Sequence, residues 1–291
     1  MSHGRDRTPA VARGILGLPG RLPYAVTRIP PEAGLARFVD WFWISRWDLA
    51  DGRSVTARIL PHPTVNLTLE AGRLVITGVA PGVFSRTLTG RNQVFGVRLR
   101  AGAARLLVDA PIRSLSGTGQ PAETLLPDGA TLTGALRSAP TDAVRMMIFT
   151  SYLERLGLAP TPELIMVQEA VGSLVADPRV KRVGDVVRLL GTSERRLQRL
   201  FADYLGLTPG WVLRRGRLHA AVERLIELAG RRSEPLAEPL AEPLADVAAE
   251  FGYADQAHLT NDFRRYLGAP PASWLAGLIT ENGPGGSQGL S

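Results

Sequence analysis

The strongest constraint in this sequence is a pattern that occurs twice in its C-terminal third. Residues 183–206 read VGDVVRLLGTSERRLQRLFADYLG, and residues 244–268 read LADVAAEFGYADQAHLTNDFRRYLG. Each stretch has a short segment with helical apolar spacing, then a glycine (Gly191 or Gly252), a turn and a longer segment. In each longer segment a Leu is followed four residues later by a Phe, and the segment ends in Leu-Gly. The pattern predicts two tandem helix-turn-helix units.

In the first unit, one face of each helix is predicted to be buried, and the opposite face of the second helix is predicted to be exposed. We expect Gly191 to end the first helix and Ser193 to cap the second, because these residue types are favoured at those positions. Between the two units, Thr208–Gly230 predicts one long connecting helix. The predicted core residues of the first unit are Val183, Val186, Val187, Leu190, Leu197, Leu200, Phe201, Tyr204 and Leu205. The outward face of its second helix carries Arg195, Arg196, Gln198 and Arg199, which suit base edges and phosphates.

The charge of the chain is concentrated around these units. Residues 181–232 carry 12 Lys and Arg against 5 Asp and Glu, a net +7, whereas residues 233–291 carry 2 against 8, a net −6. A dense basic block indicates a surface that faces a polyanion. Charge alone leaves a second interpretation open, namely a solvated Arg-rich helix surface.

Residues 180–275 resemble the DNA-binding domain of AraC/XylS-type transcriptional regulators, above all in LADVAAEFGYADQAHLTNDFRRYLGAPPASW. The resemblance implies that the chain binds double-stranded DNA and that the second helix of each unit enters a major-groove segment. Asn261 stands where the family often has Arg, so the second unit is expected to read bases more weakly. The positions that match the family's base-reading residues are Arg195, Gln198 and Arg199 in the first unit, and Gln256, His258, Thr260 and Asn261 in the second.

The N-terminal half has the alternation of apolar and polar residues that is typical of strands. Thr64–Glu70 and Arg73–Val79 predict a hairpin around Ala-Gly, and Gln93–Arg100 predicts a further strand. Arg37–Trp47 predicts a strand whose aromatic residues pack in the core. More loosely, RILPHPTVNLTLE and VFGVRLRAGAARLL resemble the cupin-like sensor domains of some such regulators. The predicted fold class is therefore α+β, with a β-rich cupin-like N-terminal domain and an all-α DNA-binding domain.

The predicted domain boundaries follow these changes of pattern. We expect a disordered N-terminal segment over 1–20 and a β-rich sensor or association domain over 21–135. A helical linker follows over 136–178, in which Thr141 and Thr161 cap helices. The double helix-turn-helix domain spans 179–278, and a flexible tail spans 279–291.

Composition argues against several other functions. The chain has no Cys, which excludes disulfides and thiol nucleophiles, and the N-terminal half has only His3 and His62, so no metal, cofactor or catalytic site is expected. His62, between two prolines, is interpreted as a structural loop residue. No apolar run suggests a secretory signal or a membrane helix, and we expect a cytoplasmic protein.

The expected function is sequence-specific transcription regulation, with RNA polymerase, a small-molecule effector of unknown identity and a second copy of the chain as candidate partners. Two alternatives remain open. One is a cupin-like enzyme fused to a DNA-binding module. The other is a protein-interaction module whose second reading unit is weakened, as its acidic surroundings suggest.

A threefold repeat, EPLAEPLAEPLA, lies between the connecting helix and the second unit. Since proline inside a helix removes a hydrogen bond and clashes with the preceding turn, Pro235, Pro239 and Pro243 cannot share one helix. We expect Pro243 to begin a helix and Glu234–Ala241 to be a tolerated spacer, because lengthening a loop costs little closure entropy.

Overall fold

The computed structural model describes residues 14–17, 22–177, 179–230 and 241–281, and within them a β-rich half precedes a helical half. The predicted α+β fold class is thereby confirmed. The strands of the described chain are β1 (Tyr24–Ile29), β2 (Val39–Asp48), β3 (Ser54–Ile59), β4 (Asn66–Glu70), β5 (Arg73–Thr77), β6 (Phe84–Thr89), β7 (Arg91–Leu99) and β8 (Gly119–Pro121). The α-helices are α1 (Gly129–Ser138), α2 (Asp142–Arg155), α3 (Pro162–Ala176), α4 (Val183–Leu189), α5 (Glu194–Tyr204), α6 (Pro209–Gly230), α7 (Ala241–Glu250), α8 (Gln256–Leu267) and α9 (Pro271–Glu281).

The strands form two antiparallel sheets. Six strands pair in the order β1-β2-β7-β4-β5-β8, and β3 pairs with β6. The predicted hairpin is present as β4 and β5, with Ala71 and Gly72 both at positive φ in the turn between them. Positive φ at both central residues matches the twist of a two-residue hairpin turn.

The two faces of the six-stranded sheet have different partners. On β2, Phe42 and Ile44 point towards the helices and join the main core, where Phe42 packs against Phe149 of α2. The alternate residues Trp43 and Trp47 point towards the β3–β6 pair. Because successive side chains of a strand alternate between faces, one aromatic-rich strand serves both layers. Of the four aromatic residues of β2, Phe42 lies in the main core and Trp47 in a smaller core with Leu88 and Val94, so the predicted core packing holds for these two.

The long connecting helix is present as α6 and belongs to two hydrophobic cores. Its first turns place Val212 and Leu213 in the core that also contains the six-stranded sheet, α3 and α5. Its later turns place Leu218, Val222 and Leu225 in a second core with α7, α8 and α9. The first helix-turn-helix unit thus shares a core with the N-terminal domain, and the second has a core of its own.

The N-terminal domain also contacts the second core directly. Leu60, just after β3, is fully buried there beside Leu218 of α6. The imidazole rings of His62 and His219 stack with centroids 4.0 Å apart, and Nε2 of His219 lies 3.1 Å from the carbonyl oxygen of Pro61. Segment 60–62 therefore fixes the middle of α6 against the β-rich domain.

Three predictions about the chain's organisation need correction. The expected disorder of residues 1–20 does not hold at 14–17, because Ile15 pairs with Ile59 and Leu16 is buried in the second core. Helix α1 crosses the predicted boundary at residue 135 between the β-rich domain and the helical linker. Helices α2 and α3, assigned to a linker, contribute to the main core.

The repeat lies largely outside the described residues, including Pro235 and Pro239. Helix α7 begins at Ala241, so Pro243 is its third residue and not its first. Proline is tolerated there because the first N–H groups of a helix have no partner within the helix.

We expect Gly206→Ala and Gly184→Ala to have opposite effects on stability. Gly206 has φ +65°, and an added Cβ would lie 2.7 Å from Cα of Arg113, so this change should lower the free energy of unfolding by about 1–3 kcal/mol. Gly184 lies within α4 with open space around it, and Ala there should raise that free energy by about 0.5–1 kcal/mol. Urea unfolding followed by circular dichroism measures both. Equal stability of Gly206→Ala and the unchanged protein would show that α5 is not held against the 113 segment.

Candidate nucleic-acid interface

The first unit adopts the predicted helix, glycine turn and capped helix. Gly191 has φ +57°, and the Ser193 hydroxyl accepts a 3.2 Å hydrogen bond from the backbone N–H of Arg196. Ahead of α4, the carboxylate of Asp185 accepts from the backbone N–H groups of Lys181 and Arg182 at 2.8 and 2.9 Å. The first of these bonds is the main reason why the pKa of Asp185 lies below its usual value. These contacts fix where α4 and α5 begin.

The apolar face of α5 is anchored and its polar face is exposed. Leu197 and Phe201 are fully buried, and the other predicted core residues of α5 are buried with them. Arg195, Arg196, Gln198 and Arg199 are all exposed, as predicted. Gln198 donates to the carboxylate of Glu194 at 3.2 Å. In the described chain no ion pair or side-chain hydrogen bond restrains the three arginines, so their guanidinium groups can reach acceptors in solution.

The second unit has the same construction with different chemistry. Gly252 has φ +73°, and the Asp255 carboxylate caps α8 by accepting a 2.7 Å bond from the backbone N–H of His258. At the other end of α8, Gly268 has φ +82° and its N–H bonds the carbonyl of Arg264. Both ends of α8 are therefore specified by the local sequence.

The four predicted reading residues of α8 do not lie in equivalent environments. Gln256 and Asn261 are exposed, whereas Thr260 is partly buried. His258 is exposed, but its ring packs edge-on against Tyr253 with centroids 5.1 Å apart. Its Nδ1 also lies 3.5 Å from the backbone nitrogen of Ala254, which orients the ring towards the turn. Gln256 and Asn261 are the two most available for contact.

Two further cations on α8 were missed by sequence reasoning. Arg264 and Arg265 are exposed, and they lie three and four residues after Asn261, on the same side of the helix. The helical spacing was a usable signal for them. They are the only basic residues of the acidic segment 233–291, so they supply all of its positive charge.

A buried polar cluster supports α8 from behind. Arg215 of α6 is 2% exposed, donates to the carbonyl of Pro81 at 2.6 Å and stacks on the rings of Trp211 and Tyr266. Burial lowers the pKa of Arg215 to about 10, while nearby Asp262 favours its charged form. Arg215 therefore links the N-terminal domain to the second unit through one side chain.

Comparisons with known proteins agree with this geometry. Residues 186–277 match the family model of a helix-turn-helix domain, and residues 27–121 match that of a domain of unknown function (DUF6597). The first match spans both units, which confirms the AraC-type resemblance of the C-terminal domain. The chain is thus a DNA-binding transcription regulator.

Among solved structures, ToxT from Vibrio cholerae is 14% identical over 87% of this chain and 97% of its own, with a TM-score of 0.38. ToxT from strain SCE256 with a bound unsaturated fatty acid is 11% identical over 90% of this chain and 93% of its own, with a TM-score of 0.38. Likeness at this level says nothing about the ligands of this chain. No curated protein matches the sequence.

Membrane spans and metal centres are two other classes of site on which the described residues bear. No helix among them is long and apolar enough to cross a membrane. No three His, Cys, Asp or Glu side chains of the same residues are grouped so that they could hold a metal ion.

We expect Gln198→Ala and Arg199→Ala to relax base preference in one half of the DNA site, each at a cost of about 1–3 kcal/mol for the preferred sequence. His258→Ala and Asn261→Ala should act on the other half, more weakly. Binding to a panel of singly changed sites, followed by fluorescence anisotropy, measures the preference. Arg155→Ala removes one exposed charge from α2, a helix outside both reading units, and is the matched control. If the α5 changes weaken all sequences equally, those residues touch only phosphates.

Proposed function

We propose that this transcription regulator reads two successive major-groove segments on one side of the DNA, with α5 and α8 as its reading helices. The observation that carries the proposal is that each helix buries its apolar face in a different core and leaves a polar face exposed. A continuous helix, α6, joins the two cores. Reading on one side of the duplex requires a separation of about 34 Å, one helical turn of DNA.

The two units are proposed to contribute unequally. Around α5 lie three unrestrained arginines within a block of net charge +7, whereas α8 lies in a segment of net charge −6. Because phosphate neutralisation supplies much of the affinity for DNA, the first unit should dominate binding. Gln256 and Asn261 would read bases, with Arg264 and Arg265 on flanking phosphates.

Control by a small molecule is proposed through the β-rich domain. A cavity of about 240 Å³ lies between the six-stranded sheet and the β3–β6 pair, and Pro61 and His62 line it. The same two residues contact His219 of α6. A ligand that moves segment 60–62 would therefore act on the helix that joins the two reading units.

Further parts of the proposal concern partners and location. RNA polymerase is the proposed protein partner because a transcription regulator acts on its activity. A second copy of the chain is another candidate partner. Met147 on α2 is 68% exposed, and sedimentation of a Met147→Lys variant would test whether the surface around it joins two copies. We place the protein in the cytoplasm, and the proposal includes no catalytic step.

The excess of acidic residues in the segment that contains α7, α8 and α9 favours a second candidate function, in which the second unit binds a protein and not DNA. Its net charge of −6 is unfavourable beside phosphates. In that case α8 changes would leave DNA affinity unaltered, whereas the leading proposal expects a weak but measurable loss.

The proposed mode of binding predicts a strong dependence on salt. If about 6 phosphates are neutralised, a plot of the logarithm of the association constant against the logarithm of salt concentration should have a slope of about −5. The measurement is anisotropy on a site selected from random DNA with the full chain, between about 50 and 200 mM salt.

Replacing Arg199 by Ala should reduce that slope by about one unit if its guanidinium is on a phosphate and leave it unchanged if it reads a base. Affinity that does not vary with salt would contradict the assignment of the basic block to DNA.

A further inference from the structure

The cavity of the β-rich domain is lined by one face of the six-stranded sheet and by residues of the β3–β6 pair, and β2 contributes four of the lining residues. Three of the chain's five tryptophans, Trp41, Trp43 and Trp47, lie along β2 and point into it. An added Cβ on Gly96 of β7 would overlap the ring of Trp43, so glycine at that position leaves room for the indole against the sheet. The three tryptophan side chains thus make this part of the lining aromatic.

Strand register gives the cavity two chemically different ends. At one end Tyr24 is paired with Trp47, and Leu88 and Val94 pack beside them. Burial raises the pKa of Tyr24 to about 12, as expected of a water-poor environment. Four residues further along β1, Arg28 is paired with Trp43. The Tyr24 and Trp47 end is therefore mainly apolar, and the polarity increases towards Arg28.

At the opposite end the strands bring cations and hydrogen-bonding groups together. Arg98 is paired with both Trp41 and Asn66. The guanidinium groups of Arg28 and Arg98 lie 4.8 and 4.1 Å from the centre of the Trp41 ring. Asp40 holds Arg98 through its Nε at 3.1 Å, outside the cavity lining. A guanidinium has five N–H donors, so that ion pair is compatible with a further acceptor.

The remaining lining agrees with a ligand that carries negative charge. Arg28, Arg86 and Arg98 line the cavity, and among the described residues no Asp or Glu does. Arg86 is paired with Glu70 on both of its terminal nitrogens, whereas the guanidinium groups of Arg28 and Arg98 both lie by the Trp41 ring. Thr64, two residues before the Asn66 that pairs with Arg98, also lines the cavity, and its buried hydroxyl has no hydrogen-bond partner within the described residues. An unpartnered buried hydroxyl is costly, so its presence in the lining points to a bound acceptor.

We propose that this cavity binds an amphipathic organic anion, with a flat apolar body against Trp43 and Trp47 and a carboxylate between Arg28, Arg98 and the Thr64 hydroxyl. Stacking on indole favours a planar body, and charge-assisted hydrogen bonds from guanidinium favour a carboxylate. The carboxylate end adjoins Pro61 and His62, which hold α6. The inference rests on the proposed effector control for its biological role, but not for the binding itself.

Isothermal titration calorimetry of the full chain, without DNA, tests the ligand class. The probes are benzoate, 2-naphthoate and decanoate, each compared with its neutral primary alcohol. We expect at least one anion to bind with a dissociation constant below about 1 mM and at least ten-fold more tightly than its alcohol, a difference of about 1.4 kcal/mol. Equal affinity for anion and alcohol, or no measurable binding of any of the three anions, would overturn the proposal.

Matched variants locate the binding groups. Arg28→Gln should abolish the preference for the anion, and Thr64→Val, which keeps the shape of the side chain, should weaken the anion several-fold and the alcohol little. Arg91→Gln, on the same sheet with its side chain 85% exposed, should leave both affinities unchanged. A loss of preference in Arg91→Gln as large as in Arg28→Gln would contradict the assignment. Circular dichroism melting of each variant separates a lost contact from a lost fold.

A parallel arm separates the inference from the proposed function. DNA affinity is measured by anisotropy with and without the anion that binds. A bound anion that leaves DNA affinity unchanged supports the ligand class and contradicts effector control. Normal DNA binding together with no binding of any anion overturns the ligand class and leaves DNA reading intact.

Discussion

The contact on which this molecule depends is the packing of α6 against the N-terminal domain, the first unit and the second unit at the same time. Its first turns lie in the core of the N-terminal domain and the first unit, and its later turns build the core of the second unit. Between them, His219 stacks on His62, and Arg215 reaches the carbonyl of Pro81. A rigid helix held along its length fixes the relative placement of both reading helices. The β-rich domain therefore takes part in setting the DNA-reading geometry.

Much of the fold follows from local sequence. Ser193, Asp255 and the two glycine turns act on backbone within a few residues of themselves, so capping and periodicity suffice to predict α4, α5 and α8. Helix α1 was missed because its sequence GATLTGALRS is poor in strong helix formers. Asp128 ahead of it has a left-handed backbone and no side-chain cap bond. Packing of Leu132 and Leu136 in the main core is what supports this helix.

Contacts distant in sequence explain what the pattern could not predict. Alternation along β2 separates Phe42 from Trp43, but cannot say which face meets helices and which meets a cavity. His62 is a loop residue, as its flanking prolines indicated, yet its partner His219 is far away in the sequence. Likewise the exposed polar face of α5 was predicted from periodicity. The packing of His258 on Tyr253 depends on the three-dimensional turn.

The central claim is that one helix carries two reading units which engage the same side of the duplex. Hydroxyl-radical footprinting of the full chain on its selected site measures this most directly. The structure predicts two protected windows whose centres lie about 10 base pairs apart on one side of the DNA. A single protected window, covering one half-site at saturating protein, would contradict it.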